Sequence, residues 1–439
     1  MKRALDGLFL FALGAYVVTG ALVTPFHGDE STQIYMSRDF AYLFLLGQPE
    51  RVRYSEPPLN ATEQHLRLLN GVVNKYAIGA AWALAGFAPD ELNEQWDWGA
   101  DWSYNHTNGH APSADLLRVS RWPSAQFLVV GLLAVFALAE KTGGRAAAWI
   151  AALLYALHPA LLLNGRRAMM EGSLIAFTAL AALTAMYWLE RRGRQAWGWA
   201  TVFGLCAGLA VASKHTAALA IVPIGLGALG FALYRGRSEG ARKAGARIGQ
   251  MALAGLIAAL VFLALNPAWW SDPFGRAADV LRLRSELLDG QTAAFGGFAG
   301  LPDAFAGFAR QAFAPVPQYF EVAGWGEWLA PQITAYEASG LAGVTAAWLW
   351  ALAALILGGA GFVALLRGPG RTEARWIVGL WLLSALAAAL LLTPIEWQRY
   401  YLPVYPPLMA VMGVGGAWLG QGFFAKARTT DHAKDAKDI

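Results

Sequence analysis

Residues 8–30 read LFLFALGAYVVTGALVTPFHGDE. The run up to Pro25 carries no charge. At about 1.5 Å of rise per residue it is long enough to cross the hydrocarbon of a bilayer. It ends in His27-Gly28-Asp29-Glu30. Two adjacent carboxylates at a membrane edge repel each other and resist desolvation, so the pair needs a reason. One reason is a solvated helix start, where acids suit the N-terminal end of the dipole. The other is a general base waiting at the interface for an acceptor. The tetrad alone leaves both open.

The rest of the chain has the same character. Of 439 residues, 56% are hydrophobic and only 15% charged, and the mean hydropathy is +0.39. Soluble domains carry about 25% charged residues, so the composition is that of a polytopic membrane protein. Lys2 and Arg3 precede the first span and no small-residue cleavage site follows it, so it is expected to stay as a signal anchor. Cys206 is the single cysteine, which excludes an intrachain disulfide and a cysteine metal cluster. The net charge of +4 is accounted for by basic cytoplasmic loops and calls for no nucleic acid.

Ten spans are expected, near 8–25, 123–140, 146–163, 172–189, 196–212, 215–234, 249–267, 341–366, 375–393 and 402–420. The stretch 196–234 is too long for one helix and divides at Ser213-Lys214-His215. With the N-terminus placed in the cytoplasm, the inner segments hold more than half of the 34 basic residues. The short outer loops hold only Arg166, Arg167, Lys214 and Arg399. That asymmetry sets the orientation. Two long segments, 26–122 and 268–340, then lie outside. Residues 31–46 read as an interfacial helix ended by Gly47, and 68–87 as a second helix lying in the interface. The second segment, with Arg282, Arg284 and many glycines, reads as a loop that orders on binding. The expected organisation is one membrane domain over 1–425 and a polar, disordered cytoplasmic tail over 426–439.

Polar residues recur at the outer span ends. Asp29 and Glu30 follow the first span; Arg166, Arg167 and Glu171 join the third to the fourth; Lys214 and His215 join the fifth to the sixth; Glu396, Arg399 and Tyr400 join the ninth to the tenth. An ionisable group costs roughly 2.5–3.5 kcal/mol at mid-membrane and less at the interface, so such groups are paired or functional. Carboxylates can activate a hydroxyl or amine. Cations can hold a phosphate leaving group without a metal. Trp96, Trp98, Trp102, Trp269 and Trp270 can stack on sugar faces, although interfacial anchoring accounts for most tryptophans in such places.

Three short motifs stand in order along the membrane region. Asp29-Glu30 is followed by Arg38-Asp39, nine and ten residues after the aspartate. Gly208-Leu209-Ala210-Val211-Ala212-Ser213-Lys214 leads into a span containing Pro223. Arg399-Tyr400-Tyr401-Leu402-Pro403-Val404-Tyr405-Pro406-Pro407 opens the last span. In these the chain resembles the GT-C superfamily of integral-membrane glycosyltransferases, in the branch of the protein O-mannosyltransferases and the lipid A aminoarabinose transferase. The resemblance implies an all-α, GT-C-like bundle of about ten transmembrane helices, with interfacial helices in two long outer segments. It implies an inverting transfer from a polyprenyl-monophosphate sugar, with Asp29 activating the acceptor and Glu30 as its partner. Glu171 matches a second acid at the start of the fourth span, and Lys214 and Arg399 match contacts to the donor phosphate. Arg38 pairs with an acid to fix the interfacial helix. Arg166, Arg167, His215 and Tyr400 join the substrate-binding set.

The chain departs from better-known members in its shortness and in its long first outer segment. Asp97, Asp101, His106 and His110 in that segment could ligate a metal, but a polar loop is the better account, so no cofactor is expected. The expected partners are a polyprenyl-phosphate sugar, membrane lipid and an acceptor that is a glycan, lipid or protein. The expected place is the plasma (inner) membrane with the site on its outer face. Two other readings stay open. Charged residues in ten spans can mark a transporter or lipid flippase, although these sit at span ends and no repeat is visible. A non-catalytic assembly protein could keep the fold.

Overall fold

The computed structural model describes residues 2–238, 240–367 and 372–435, with side chains from Arg3 to Gln421 within them. Every regular element among the described residues is helical. Among the described residues, nine helices are long and apolar enough to cross a membrane, and ten spans result if the bent pair Arg145–Leu157 and Pro159–Arg166 is one of them. These ten stretches overlap the ten expected ones in order. The bent pair turns by 61° at His158-Pro159. Pro159 has no N–H to continue the first half, and His158 caps the second by accepting from Leu161 N at 3.4 Å.

Small residues set the packing. Gly204 and Gly208 lie one turn apart on the Gly193–Ser213 helix. A Cβ on either would fall 2.5 Å from Ala254 O and 2.7 Å from Ala258 O, respectively, on the Ala241–Leu265 helix. Only glycine permits that approach between two lipid-embedded helices.

Three boundaries differ from expectation. The second span is the 30-residue helix Ala114–Gly143, which starts nine residues early and carries Arg121 into the bundle's end. The segment 268–340, expected as a loop, holds three helices, Pro273–Phe295, Leu301–Phe313 and Gly326–Ala338. Its start signals are local: Asp272 accepts from Gly275 N at 2.9 Å, and Pro273 takes the first helical position. The last helix runs Tyr405–Asp435, so the disorder expected from residue 426 is not found up to Asp435. Residues 436–439 of that expected tail lie outside the described residues.

In the segment 26–122, helix Gly28–Met36 runs into Arg38–Phe40 and a π turn at Ala41–Leu45. The run ends before Gly47, whose φ is +63°. The expected interfacial helix over 68–87 is the 12-residue Val73–Leu84, too short to cross. Val72 N donates to Ala212 O at 2.7 Å, which presses this segment onto the helix end beside Lys214.

Candidate active site

The first helix after the first span sorts the two adjacent acids. His27 caps it, its Nδ1 accepting from Asp29 N at 3.1 Å while its own N–H donates to Glu30 Oε2 at 3.1 Å. This capping box turns Glu30 inward and leaves Asp29 on the outer rim. Glu30 is 0% exposed. Arg121 grips it with two 2.7 Å bonds, and Ala168 N donates to it at 2.8 Å. Burial would raise the Glu30 carboxyl, but the Arg121 guanidinium overrides it and holds the group below its ordinary range. Each Glu30 oxygen therefore already has two partners. It has the position of a scaffold acid, not of the catalytic partner expected.

Asp29 has a 28% exposed side chain and an ion pair from its Oδ2 to Arg399 Nη1. Arg399 comes from a short turn before the last helix. Neighbouring Gln398 is stapled to the second outer segment: its N–H donates to Gln318 Oε1 at 2.7 Å and its Nε2 to Val316 O at 2.6 Å. That staple brings in a residue that no sequence signal flagged. Glu321, 9% exposed, lies with Oε2 2.6 Å from His27 Nε2 and Oε1 3.8 Å from Arg399 Nε. His27 is 1% exposed. Since Nδ1 accepts a backbone N–H, the imidazole proton sits on Nε2 and is donated to Glu321. Burial holds His27 below its ordinary value, in the neutral form this geometry requires. Burial alone would raise Glu321; the His27 contact and Arg167 hold it low and ionised.

A second group meets the first around one ring. Lys214 Nζ lies 6.0 Å from the Tyr400 ring centroid, Arg284 Cζ 5.7 Å and Arg399 Cζ 5.8 Å. Lys214 is paired with the buried Glu171 at 2.8 Å, and the other Glu171 oxygen is buried without a partner. Tyr400 donates its hydroxyl to Gln291 Oε1 at 2.9 Å. Thus Asp29, Glu171, Lys214, Arg399 and Tyr400 come together at one end of the bundle, with Arg284 added from helix Pro273–Phe295. His215 sits beside them but packs on Trp269 and Phe262 at 5.7 and 5.8 Å. Its Nε2 is buried without a partner.

Three expected substrate contacts face elsewhere. Arg166 donates to Val17 O at 2.8 Å, Tyr16 O at 2.9 Å and Tyr336 Oη at 2.9 Å. It thereby satisfies carbonyls at the end of the first helix. Arg167 ties Pro25 O to Tyr319 O, at 3.1 and 2.7 Å, locking the chain before His27 to the chain before Glu321. Both guanidiniums are buried, so they hold scaffold positions rather than substrate-facing ones. Arg38 pairs with Glu94 at 3.1 Å and donates to Leu92 O at 3.0 Å, fixing the interfacial helix. Of the tryptophans, Trp96, Trp102 and Trp269 are buried in packed clusters. Trp98 is 48% exposed and stacks on Trp325 at 5.5 Å, close to His27. Trp270 donates to Leu263 O at 2.6 Å. Asp101 caps a helix at Tyr104 N at 2.7 Å, Asp97 accepts from Gly99 N at 2.8 Å, and His106 and His110 bond nearby carbonyls at 2.9 and 2.5 Å. Those four side chains do not converge.

Comparison with known proteins agrees with this architecture. Residues 75–270 match the family described as dolichyl-phosphate-mannose-protein mannosyltransferase. No curated protein matches the chain in sequence. Among solved structures, ArnT from Cupriavidus metallidurans bound to undecaprenyl phosphate superposes with a TM-score of 0.56 at 11% identity, covering 94% of this chain and 60% of that one. The archaeal oligosaccharyltransferase AglB from Archaeoglobus fulgidus, in complex with an inhibitory peptide and a dolichol-phosphate, gives 0.53 at 13% identity, covering 99% and 52%. The chain therefore spans between half and two thirds of the length of these relatives. The fold of this chain is that of ArnT and AglB.

Proposed function

We propose that this chain is an inverting glycosyltransferase that moves a sugar from a polyprenyl-monophosphate donor to an acceptor at the outer face of the plasma (inner) membrane. The observation that carries the proposal is the ring of three cations, Lys214, Arg284 and Arg399, around Tyr400, with the exposed carboxylate Asp29 paired to one of them. Three cations converging at one end of the bundle suit a phosphate.

In the proposed reaction the donor phosphate lies among Lys214, Arg284 and Arg399. It draws Arg399 from Asp29, and the freed carboxylate takes the proton of the acceptor hydroxyl or amine. The acceptor heteroatom attacks the anomeric carbon from the face opposite the phosphate. The new glycosidic bond forms as the bond from that carbon to the phosphate oxygen breaks. Polyprenyl phosphate leaves with the bonding electrons, its charge held by the same cations. Glu171 aims Lys214. Glu30 acts as a positioning residue, since Arg121 and Ala168 hold it and it holds the helix start.

Purified Asp29→Asn tests the proposal. It should still bind dolichyl-phosphate mannose while transfer falls by about 10²–10⁴, the worth of a general base. Transfer within about threefold of the parent, outside that range, removes Asp29 as the base. A parent that moves an ion or lipid and transfers no sugar makes the chain a transporter. Orientation is tested by cysteines at Ser103 and Ser339, against a background of one buried native thiol, Cys206. An impermeant reagent added outside the cell should label both.

A further inference from the structure

Glu321 stands outside every motif in the chain, yet it is the acid that touches both halves of the site. Its Oε2 takes the proton side of His27 at 2.6 Å. The other face of that imidazole holds the amide of Asp29 at 3.1 Å. Its Oε1 lies 3.8 Å from Arg399 Nε, too long for a hydrogen bond but close for a charge. That Nε is buried and has no hydrogen-bond partner. Arg399 is thus poised between two carboxylates. Asp29 is the reachable one and Glu321 the enclosed one.

We infer that Glu321 is a positioning residue for the transfer, acting through His27 on the backbone of Asp29 and through its charge on Arg399. The inference rests on the function proposed above. Its first arm is tautomeric. An imidazole can accept from Asp29 N only while its proton stays on Nε2, and a buried carboxylate at 2.6 Å keeps it there. Its second arm is electrostatic. If the donor phosphate is to take Arg399 from Asp29, the guanidinium must not grip Asp29 too strongly. A fixed negative charge on its far side lowers that grip and lets the product phosphate leave. The titratable and charged groups facing this centre are Asp29, the neutral His27, Arg399 and Arg167, with Glu30 held away from it by Arg121.

Glu321→Gln separates the arms, because its amide oxygen can still accept from His27 Nε2. It keeps the geometry and loses the charge. In transfer from dolichyl-phosphate mannose, kcat should fall roughly tenfold, the effect of about one pKa unit of lost basicity. The donor KM should stay level or drop, since Arg399 is now the stronger cation. The acid limb of the kcat profile should move to lower pH, because the base loses a neighbouring negative charge. Glu321→Asp keeps the charge with a shorter reach. It should lower kcat while leaving the acid limb where the parent has it. Equal kcat and an unmoved limb in Glu321→Gln would overturn the inference while leaving an active parent and an inactive Asp29→Asn to uphold the function. A raised donor KM with a lowered melting temperature in both variants would also overturn it, as a structural role. A parent inert toward dolichyl-phosphate mannose and every other polyprenyl-phosphate sugar takes the function and this inference down together.

Discussion

Asp29 and Asp39 lie ten residues apart on one helical run, and their surroundings are opposite. Asp39 is buried between Arg67, which donates to it at 2.6, 3.0 and 3.1 Å, and Lys75, at 2.6 Å. Arg67 also takes Glu63 at 2.7 Å, so two acids and two bases close on themselves. Burial would raise Asp39, but Lys75 and Arg67 hold it low. Asp29 is partly open to water and has one cation, which itself faces a second acid. Both aspartates are ionic, and only the second arrangement has vacancies. A cluster whose charges and hydrogen bonds all close is scaffold. One that gathers three cations around one ring at a rim, as Lys214, Arg284 and Arg399 gather around Tyr400, is a place for a ligand.

That contrast is broken or sharpened first by substituting the closed cluster. Asp39→Asn strands Lys75 in a buried place and leaves Arg67 with Glu63 alone. Removing one partner of a buried pair costs about 3–5 kcal/mol, so the melting temperature should fall steeply and expression with it. Adding Lys75→Met should recover part of the loss by removing one stranded charge. Asp29→Asn should leave the melting temperature near the parent's. If Asp29→Asn melts as early as Asp39→Asn, the open cluster is scaffold as well.

The next effect belongs to the cations around Tyr400. Lys214→Ala and Arg399→Ala should each weaken donor use by about tenfold to a hundredfold, the worth of roughly 1.5–3 kcal/mol for a charge-assisted contact. Lys214→Ala also leaves buried Glu171 alone, so it is compared with Lys214→Met combined with Glu171→Gln. Arg284→Ala should behave likewise at the lower end, without loss of stability. Donor use at the parent's level in all three would make these cations members of structural pairs.

The spans were legible because lipid imposes a length and a composition that few other environments require. The division at Ser213-Lys214-His215 follows from that, as does the recurrence of polar residues at span ends, but the pairing of Asp29 with Arg399 does not. The inner and outer faces of a charged helix start were not legible. Asp29 and Glu30 look alike in sequence, and only the cap by His27 and the reach of Arg121 turn one in and the other out. The carbonyl partners of Arg166 and Arg167 were not legible for a related reason. A guanidinium at a span end can meet a phosphate or a neighbouring carbonyl, and sequence does not say which carbonyls are near. Glu321 was invisible because it lies outside any helix, in a segment with no periodicity, 294 positions from the His27 it serves. Such contacts come from the staple at Gln398, which depends on the whole bundle.

The scaffold role of Glu30 has a pH signature. Its folded pKa lies below the ordinary carboxylate value of 4.5 because Arg121 outweighs burial. A depressed carboxylate stabilises the fold above its unfolded pKa, and the stabilisation is lost as pH falls through the folded value. The melting temperature in detergent should therefore be level between about pH 7 and 5 and decline below about pH 4. Glu30→Gln should be less stable at neutral pH and show a shallower acid decline. An acid decline as steep as the parent's would assign it to the other depressed carboxylates, Asp39 and Glu321.

The smallest effect is expected at Arg38, and it tests the contrast from the other side. Arg38 belongs to the motif that carries Asp29, which makes it look like a substrate contact. Its guanidinium instead meets Glu94, which is largely exposed, and the carbonyl of Leu92. A half-open pair of this kind contributes about 0–1 kcal/mol, screened further by salt. Arg38→Ala should thus lower the melting temperature slightly and leave donor KM and kcat within about twofold of the parent, as that range implies. A loss of donor use as large as that of Lys214→Ala would mean that the phosphate site extends along the interfacial helix. The boundary between closed scaffold and open site would then fall between Arg38 and Asp39, two neighbours in sequence, rather than between Asp29 and the rest of its motif.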